Sequence, residues 1–351
     1  MPKLTIDGRR VEVPGGQSVL EAARSLGIYI PSLCYLQGFE CSTSCMACVV
    51  RIDGRSALVP SCATPATEGM QVESETEEVR AARRTALDLL VSDHAGDCVA
   101  PCQRADSLHI DVPRFLRQVQ AGDLNSAAAT LALAGVDLSD PDSIDLSRAE
   151  KACRRGRYDQ TVAIEDLARH VARQQRRESG APAQTPSYRE FTVRIAGLSE
   201  TELEGLLTGA TPGGQVEQAA PESGFAEEEA RLEASRCQHC DCRMADICTL
   251  RDACEAHDVQ TGRFRSSRPD LEIDRSHPDI YFEHGKCILC GLCVQVAERA
   301  GEPVGLALVG RGFDMRLRTP FDVPLSEALI YSAGACADVC PTGALARKAP
   351  E

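Results

Sequence analysis

The sequence predicts an α+β chain of three folded, cysteine-bearing modules joined by a polar linker. Three observations carry that prediction. The first is the cysteine inventory of 18 in 351 residues, roughly triple ordinary usage yet below the density of a small disulfide scaffold, gathered into spaced groups. The second is a change of local pattern along the chain, from short alternating runs to amphipathic stretches of helical period. The third is the run Cys287-Ile288-Leu289-Cys290-Gly291-Leu292-Cys293, answered far downstream by Cys340-Pro341-Thr342-Gly343.

Composition excludes several classes. The N-terminus, Met1-Pro2-Lys3-Leu4-Thr5, has no charged-then-apolar leader. No apolar run approaches the roughly 18 residues of a membrane span. Cysteines in such a chain read as metal ligands rather than disulfides, and a cytoplasmic location is expected. A net charge of −14 argues against a nucleic-acid partner. An acidic surface suits docking to basic patches on partner proteins, and equally plain solubility.

Residues 1–75 open with Leu4-Thr5-Ile6 and Val11-Glu12-Val13 around a turn at Asp7-Gly8. Ser18 is placed to cap a helix from Val19 to Leu26 that stops at Gly27. Strand-like segments follow at 48–53 and 70–73, so a small mixed sheet on one helix is expected. Cysteines 34, 41, 45, 48 and 62 lie on the loops beside it. Pro31-Ser32-Leu33-Cys34, Cys45-Met46-Ala47-Cys48, Val59-Pro60-Ser61-Cys62-Ala63-Thr64-Pro65 and Glu68-Gly69-Met70 resemble the β-grasp ferredoxin domain that opens the large iron–sulfur subunit of NADH:quinone oxidoreductase. The small subunits of NAD-linked hydrogenases and formate dehydrogenases share it. The spacing C-x10-C-x2-C-x13-C differs from the plant type, C-x4-C-x2-C. The resemblance implies a 2Fe–2S cluster on Cys34, Cys45, Cys48 and Cys62. Cys41 is the alternative to Cys34, or else a free thiol.

Residues 76–173 read as a helical module. Glu77 and Glu78 sit in the first turn of a helix with Leu87, Leu89, Leu90 and Val91 on its apolar side. It ends at His94-Ala95-Gly96-Asp97-Cys98, followed by Cys102. The NADH:quinone oxidoreductase subunit carries a His-liganded cubane on H-x3-C-x2-C-x5-C, and this chain departs from it with H-x3-C-x3-C and no further cysteine before Cys153. Instead Ala100-Pro101-Cys102-Gln103-Arg104, Ile110-Asp111-Val112-Pro113-Arg114-Phe115-Leu116 and Ala152-Cys153-Arg154-Arg155-Gly156-Arg157 resemble another family. That family is the helical iron–sulfur domain of the glutamate synthase small subunit and dihydropyrimidine dehydrogenase, where two cubanes share cysteines from two distant segments. One family cysteine is replaced here by Asp106. The resemblance implies one retained 4Fe–4S cluster on His94, Cys98, Cys102 and Cys153, with Asp106 the alternative to His94. A neutral imidazole in place of a thiolate removes a negative charge and raises the potential. Amphipathic helices are expected from Phe115 to Val136, broken at Gly122, and from Thr161 to Val171.

Residues 174–225 lose periodicity. Gln174 to Pro182 reads as linker, with a break at Thr211-Pro212-Gly213-Gly214. A strand-like Phe191-Thr192-Val193-Arg194-Ile195 and a helix from Glu200 to Leu207 interrupt it. No chemistry is assigned there. Residues 226–270 begin with a helix, Ala226 to Ala234, that leads into Arg236-Cys237-Gln238-His239-Cys240-Asp241-Cys242, with Cys248 and Cys254 behind. C-x2-C-x-C-x5-C is a four-thiolate pattern. It resembles the Arg-Cys-x-x-Cys segment of the glutamate-synthase-type domains, although the C-x-C step is foreign to them. A further cubane on Cys237, Cys240, Cys242 and Cys248 is expected, with zinc the alternative. Cys254 is then spare and His239 a surface residue.

Residues 271–351 carry C-x2-C-x2-C with a distant C-P, the ligation pattern of a bacterial-type 4Fe–4S ferredoxin. A two-cluster ferredoxin would place cysteines at 297, 330 and 333, where this chain has Ala297, Ile330 and Ala333. One cluster is therefore expected, on Cys287, Cys290, Cys293 and Cys340, with Cys336 left over and zinc again the alternative. The insert, with Gly310-Arg311-Gly312-Phe313-Asp314 and Thr319-Pro320-Phe321, resembles those of the NADH:quinone oxidoreductase subunit and iron-only hydrogenases.

No G-x-G-x-x-G follows a strand and no Walker motif occurs, so no flavin or NAD site is expected. The molybdopterin domain of related chains is not among these residues, and no catalytic residue is assigned. The reading is an electron-transfer subunit with one 2Fe–2S and up to three 4Fe–4S clusters. It would relay single electrons between a flavoprotein NAD(P)H dehydrogenase-type subunit and a formate dehydrogenase- or hydrogenase-type subunit. A second class is a cluster- or zinc-binding redox sensor or assembly scaffold. A third is an enzyme with an open cubane position at Asp106 or His94.

Overall fold

A computed structural model describes residues 1–175, 191–195, 197–208, 213–264 and 269–348. Most of the 174–182 linker and Thr211-Pro212 lie outside the described residues. The chain divides into two compact units, one made of Met1–Ala95 with Ile247–Glu351, the other of Gly96–Asp246. Among the described residues no helix is long and apolar enough to cross a membrane.

The first unit opens with β1 (Lys3–Ile6) and β2 (Arg9–Glu12), an antiparallel hairpin in which Leu4 faces Val11. Asp7 and Gly8 both take positive φ, 48° and 76°, the turn whose twist matches that of the strands. The Asp7 carboxylate also accepts from Ser74 N at 2.7 Å and Oγ at 2.6 Å. Ser18 caps α1 (Val19–Ser25) by a reciprocal capping box with Glu21. β3 (Val49–Ile52), β4 (Val59–Pro60) and β5 (Gln71–Glu73) complete a sheet of order β2-β1-β5-β3-β4, with β5 parallel to β1. Leu4, Ile6, Val19, Leu20, Val50 and Val72 form its core together with Cys48 and Cys62. α2 (Glu77–Ser92) follows, capped by Thr76.

The second unit is helical. α3 (Pro101–Ala105), α4 (Val112–Ala121), α5 (Leu124–Leu133), α6 (Ser147–Lys151), α7 (Ile164–Gln175), α8 (Glu200–Leu207) and α9 (Glu227–Ser235) supply it. The expected break at Gly122 is a left-handed C-cap, φ 76°. Phe115, Leu116, Leu131, Ile164, Leu167 and Ala234 share one core, and Cys102, Cys153, Cys237 and Cys240 pack into it. The strand-like reading of Phe191–Ile195 is corrected. The segment joins no sheet. Cys98 N donates to Val193 O at 3.0 Å, whereas Val193 N donates to the Cys98 sulfur at 3.3 Å. A sulfur stands where a strand partner would present its carbonyl, so no ladder starts.

The chain re-enters the first unit with α10 (Thr249–Ala256). β6 (Ile273–Asp274), β7 (Ile280–Glu283) and, near the end, β10 (Leu345–Arg347) make a three-stranded sheet centred on β7. Between them come α11 (Leu292–Arg299), the hairpin β8 (Ala307–Val309) and β9 (Arg316–Arg318), then α12 (Leu325–Ala328) and α13 (Ala333–Asp338). The two halves of this unit are tied together. Arg84 Nε donates to His257 O at 2.9 Å. Asp88 accepts from Gln260 N at 3.0 Å and from Arg263 at 3.2 Å. Ala95 N donates to Gly285 O at 2.7 Å.

Candidate iron–sulfur cluster sites

In the N-terminal sheet domain Cys34, Cys45, Cys48 and Cys62 are all buried. Pairing of β3 with β4 brings Cys48 beside Ser61-Cys62: Ser61 N and Oγ both donate to Cys48 O, at 3.1 and 2.7 Å. Cys34 and Cys45 meet sulfur to sulfur at 3.3 Å. Their hydrogen bonds interlock the four thiols. The bond with Cys45 pulls Cys34 down to about 2, and the bond with Cys62 pulls Cys48 down to about 6. The bond with Cys34 pushes Cys45 up, and bonds with Cys34 and then Cys48 push Cys62 up. Cys41, the alternative to Cys34, instead donates to the Cys62 carbonyl at 3.1 Å. Behind the site lies Arg83, fully buried, whose Nε and Nη2 hold the Val49 carbonyl at 3.1 and 2.9 Å. Sequence reading missed this residue: a lone arginine on an amphipathic helix looks like any solvent-facing charge.

In the C-terminal half Cys287, Cys290, Cys293 and Cys340 line one cavity, closed by Leu317 and Leu345, that holds about 360 Å³ of space, part of it open solvent. Burial pushes Cys287 up to about 11 and Cys290 up to about 12. At Cys290 the charges of Cys340, Cys287 and Cys34 add to it, so the N-terminal sulfurs are felt at this site. Thiols held this way keep their protons until a metal takes them. The leftover Cys336 is fully buried in α13 and donates to Cys293 O at 3.5 Å.

The helical unit holds a cavity of about 370 Å³, again partly open, lined by Cys102, Cys153, Cys237 and Cys240 together with Arg154 and Pro101. It takes two members from each of the two sets expected there. Burial first, then the charges of Cys237, Cys240 and Cys153, push the Cys102 thiol well up. Burial also raises Cys240 to about 12, against the pull of Arg154. The other members are placed as follows. Cys242 N donates to Cys98 O at 3.4 Å. In the first unit, Cys248 Sγ lies 3.7 Å from Pro341 O. His94 is buried with Nδ1 unpartnered, and burial, helped by Lys286, lowers its pKa to about 4, so the ring is neutral. Asp106 is occupied by its own turn, accepting from Leu108 N at 2.9 Å and from Ile110 N at 3.5 Å. Cys254 is fully buried in α10. His239, read as a surface residue, is half-buried and its ring contacts Arg117 at 3.2 Å.

Two of the C-x2-C loops share a backbone device. Leu289 and His239 occupy the same place in their loops and take φ of 54° and 46°, a left-handed region that non-glycine residues rarely enter. Each thereby aims its N–H at the loop's first sulfur: Leu289 N to Cys287 Sγ and His239 N to Cys237 Sγ, both at 3.4 Å. Hydrogen bonds to ligand sulfurs set cluster potentials. Met46, in the N-terminal C-x2-C, is left-handed as well, at 51°.

These features define an iron–sulfur protein with an N-terminal 2Fe–2S ferredoxin-like sheet and a large helical region. The 2Fe–2S iron–sulfur cluster binding domain family matches residues 2–77. The chain is 48% identical over 104 residues to the NADP-reducing hydrogenase subunit HndD of Solidesulfovibrio fructosivorans, covering 28% of this chain and 18% of that protein. It is 43% identical over 98 residues to an NADH-quinone oxidoreductase subunit of Rhizobium meliloti, covering 28% and 12%. The match to the NADPH-Fe(3+) oxidoreductase subunit alpha of Geobacter sulfurreducens is 35% over 98 residues, covering 28% and 12%. The chain thus spans less than a fifth of the length of these curated relatives. The crystal structure of an NAD+-reducing [NiFe]-hydrogenase in the H2-reduced state shares the fold at a TM-score of 0.53 and 21% identity, over 99% of this chain and 88% of that one. The chain resembles the iron–sulfur electron-transfer subunits of such complexes.

Proposed function

We propose that this chain is an electron-relay subunit that passes single electrons between a flavoprotein NAD(P)H dehydrogenase-type subunit and a hydrogenase- or formate dehydrogenase-type subunit. It does no bond chemistry of its own. The observation that carries this reading is three groups of four mostly buried cysteines, of which Cys48 and Cys62, then Cys287, Cys293 and Cys340, and then Cys102, Cys153, Cys237 and Cys240 pack into hydrophobic cores. Iron–sulfur clusters supply one-electron redox chemistry when bound. The chain's part is to fix the thiolates, direct backbone N–H groups at them, and surround them with apolar packing.

The N-terminal set, Cys34, Cys45, Cys48 and Cys62, would hold a 2Fe–2S cluster, in keeping with the domain family matched there. The C-terminal set, Cys287, Cys290, Cys293 and Cys340, would hold a 4Fe–4S cluster. In the helical unit we assign a 4Fe–4S cluster to Cys102, Cys153, Cys237 and Cys240, on the strength of the cavity they line. Of the remaining candidates, His94 has the neutral, unpartnered ring nitrogen that a metal ligand needs.

The test is iron and acid-labile sulfide per chain on anaerobically purified protein, with EPR after dithionite reduction. About 10 irons per chain correspond to these three groups, and about 14 to a further cubane. Overlapping fast-relaxing signals beside one slow-relaxing signal support the relay. Stoichiometric zinc with little sulfide would overturn it in favour of a binding scaffold.

A further inference from the structure

We infer that Gln295 and Arg299, one turn apart on α11, are positioning residues that clamp the N-terminal cysteine loop onto the C-terminal one and so fix the separation of their two clusters. The inference rests on the relay reading above. α11 carries the ligand Cys293 near its start and buries Val296 and Ala297 in the C-terminal core. Residues 295 and 299, an i,i+4 pair, share a helix face. They are not buried and add nothing to that core.

Both reach the stretch Gly38–Ser42, which lies between Cys34 and Cys45. Gln295 closes a two-way amide clamp on one backbone residue. Glu40 N donates to Gln295 Oε1 at 2.9 Å, and Gln295 Nε2 donates to Glu40 O at 3.0 Å. Arg299 Nη2 donates to Gly38 O at 2.6 Å, and its guanidinium lies 3.6 Å from the Phe39 ring centroid. Phe39 in turn packs against the C-terminal core. At the cysteine end the two loops are in van der Waals contact: a Cβ added to Gly291, between Cys290 and Cys293, would lie 3.4 Å from Ser42 Oγ.

Net hydrogen bonds in exposed positions stabilise weakly, and helix α11 does not need these two side chains. What they do is hold one cysteine loop in register with the other. Gln295 has no counterpart charge to neutralise; it satisfies a backbone N–H and a backbone C=O at once, which an amide does and a carboxylate does not.

The experiment compares intact wild-type chain with Gln295→Ala/Arg299→Ala and with Gln295→Glu, which keeps the shape but loses the donor to Glu40 O. Each is reduced anaerobically and followed by iron and sulfide content, potentiometric titration, and the magnetic interaction between the two clusters in EPR. The expected result is unchanged iron and potentials with the interaction lost in the double variant and weakened in Gln295→Glu. An unchanged interaction in the double variant, with both signals present, would overturn the assignment. Loss of iron in all variants would make the residues structural and overturn it too. Absence of either signal in the wild type would instead refute the relay reading itself.

Discussion

The C-terminal site and the site in the helical unit hold four cysteines each, yet they are built in opposite ways. The first draws three cysteines from one seven-residue stretch, Cys287 to Cys293, and its fourth from Cys340. The second draws on three segments: Cys102 in α3, Cys153 after α6, and Cys237 and Cys240 after α9. A loop-borne site needs only its loop and one anchor. A site gathered from distant segments exists only when the helices around it are packed, so its geometry is a readout of the whole unit's core.

That contrast is sharpest under ligand removal. Cys153→Ser is expected to cost about four irons per chain and to loosen α4, α7 and α9 together, since this cysteine packs into their shared core. Iron content and far-UV circular dichroism read both effects. Cys340→Ser should also cost about four irons but leave the helical unit's signal intact. If the regrouped ligand set is right, Cys242→Ser leaves the cavity of the helical unit loaded, whereas Cys240→Ser empties it.

Packing changes away from any cysteine come next. Leu167 is fully buried in α7, and Leu167→Ala should destabilise the helical unit by about 2–5 kcal/mol. The comparison would break if denaturant unfolding showed that loss while the unit's cluster signal stayed as robust as the C-terminal one. Smallest is Ser18→Ala. Removing the cap of α1 should cost about 1 kcal/mol, visible as a lower denaturation midpoint with iron content unchanged.

The legibility of the sequence follows the same division. The opening hairpin, the Ser18 cap and the break at Gly122 were readable because turn and cap chemistry is local. The four C-terminal cysteines, grouped by their spacing, line one cavity. In the helical unit the cavity draws its cysteines from both of the sets that chain adjacency suggested. Adjacency along the chain linked Cys98 to Cys102 and Cys240 to Cys242, while the cavity takes Cys102 and Cys240 without Cys98 or Cys242. Val193 left no mark at all: a backbone N–H donated to a sulfur has no residue signature. Arg83 was missed for a related reason, since its partner is the main-chain carbonyl of Val49.

The discontinuous layout of the first unit has a consequence for biosynthesis. Met1–Ala95 leave the ribosome well before Ile247–Glu351, with all of the helical unit made in between. The clamp from Gln295 to Glu40 closes across 255 positions, and β7 finds its partner β10 only near the last residues described. Domains generally fold as units while the chain is being made. The helical unit is therefore complete while the first is still half synthesised, and the N-terminal cysteine loop must wait, with its docking face bare, for a helix that emerges late. Any metal bound by the first unit would meet both of its halves only once Ile247–Glu351 have been made.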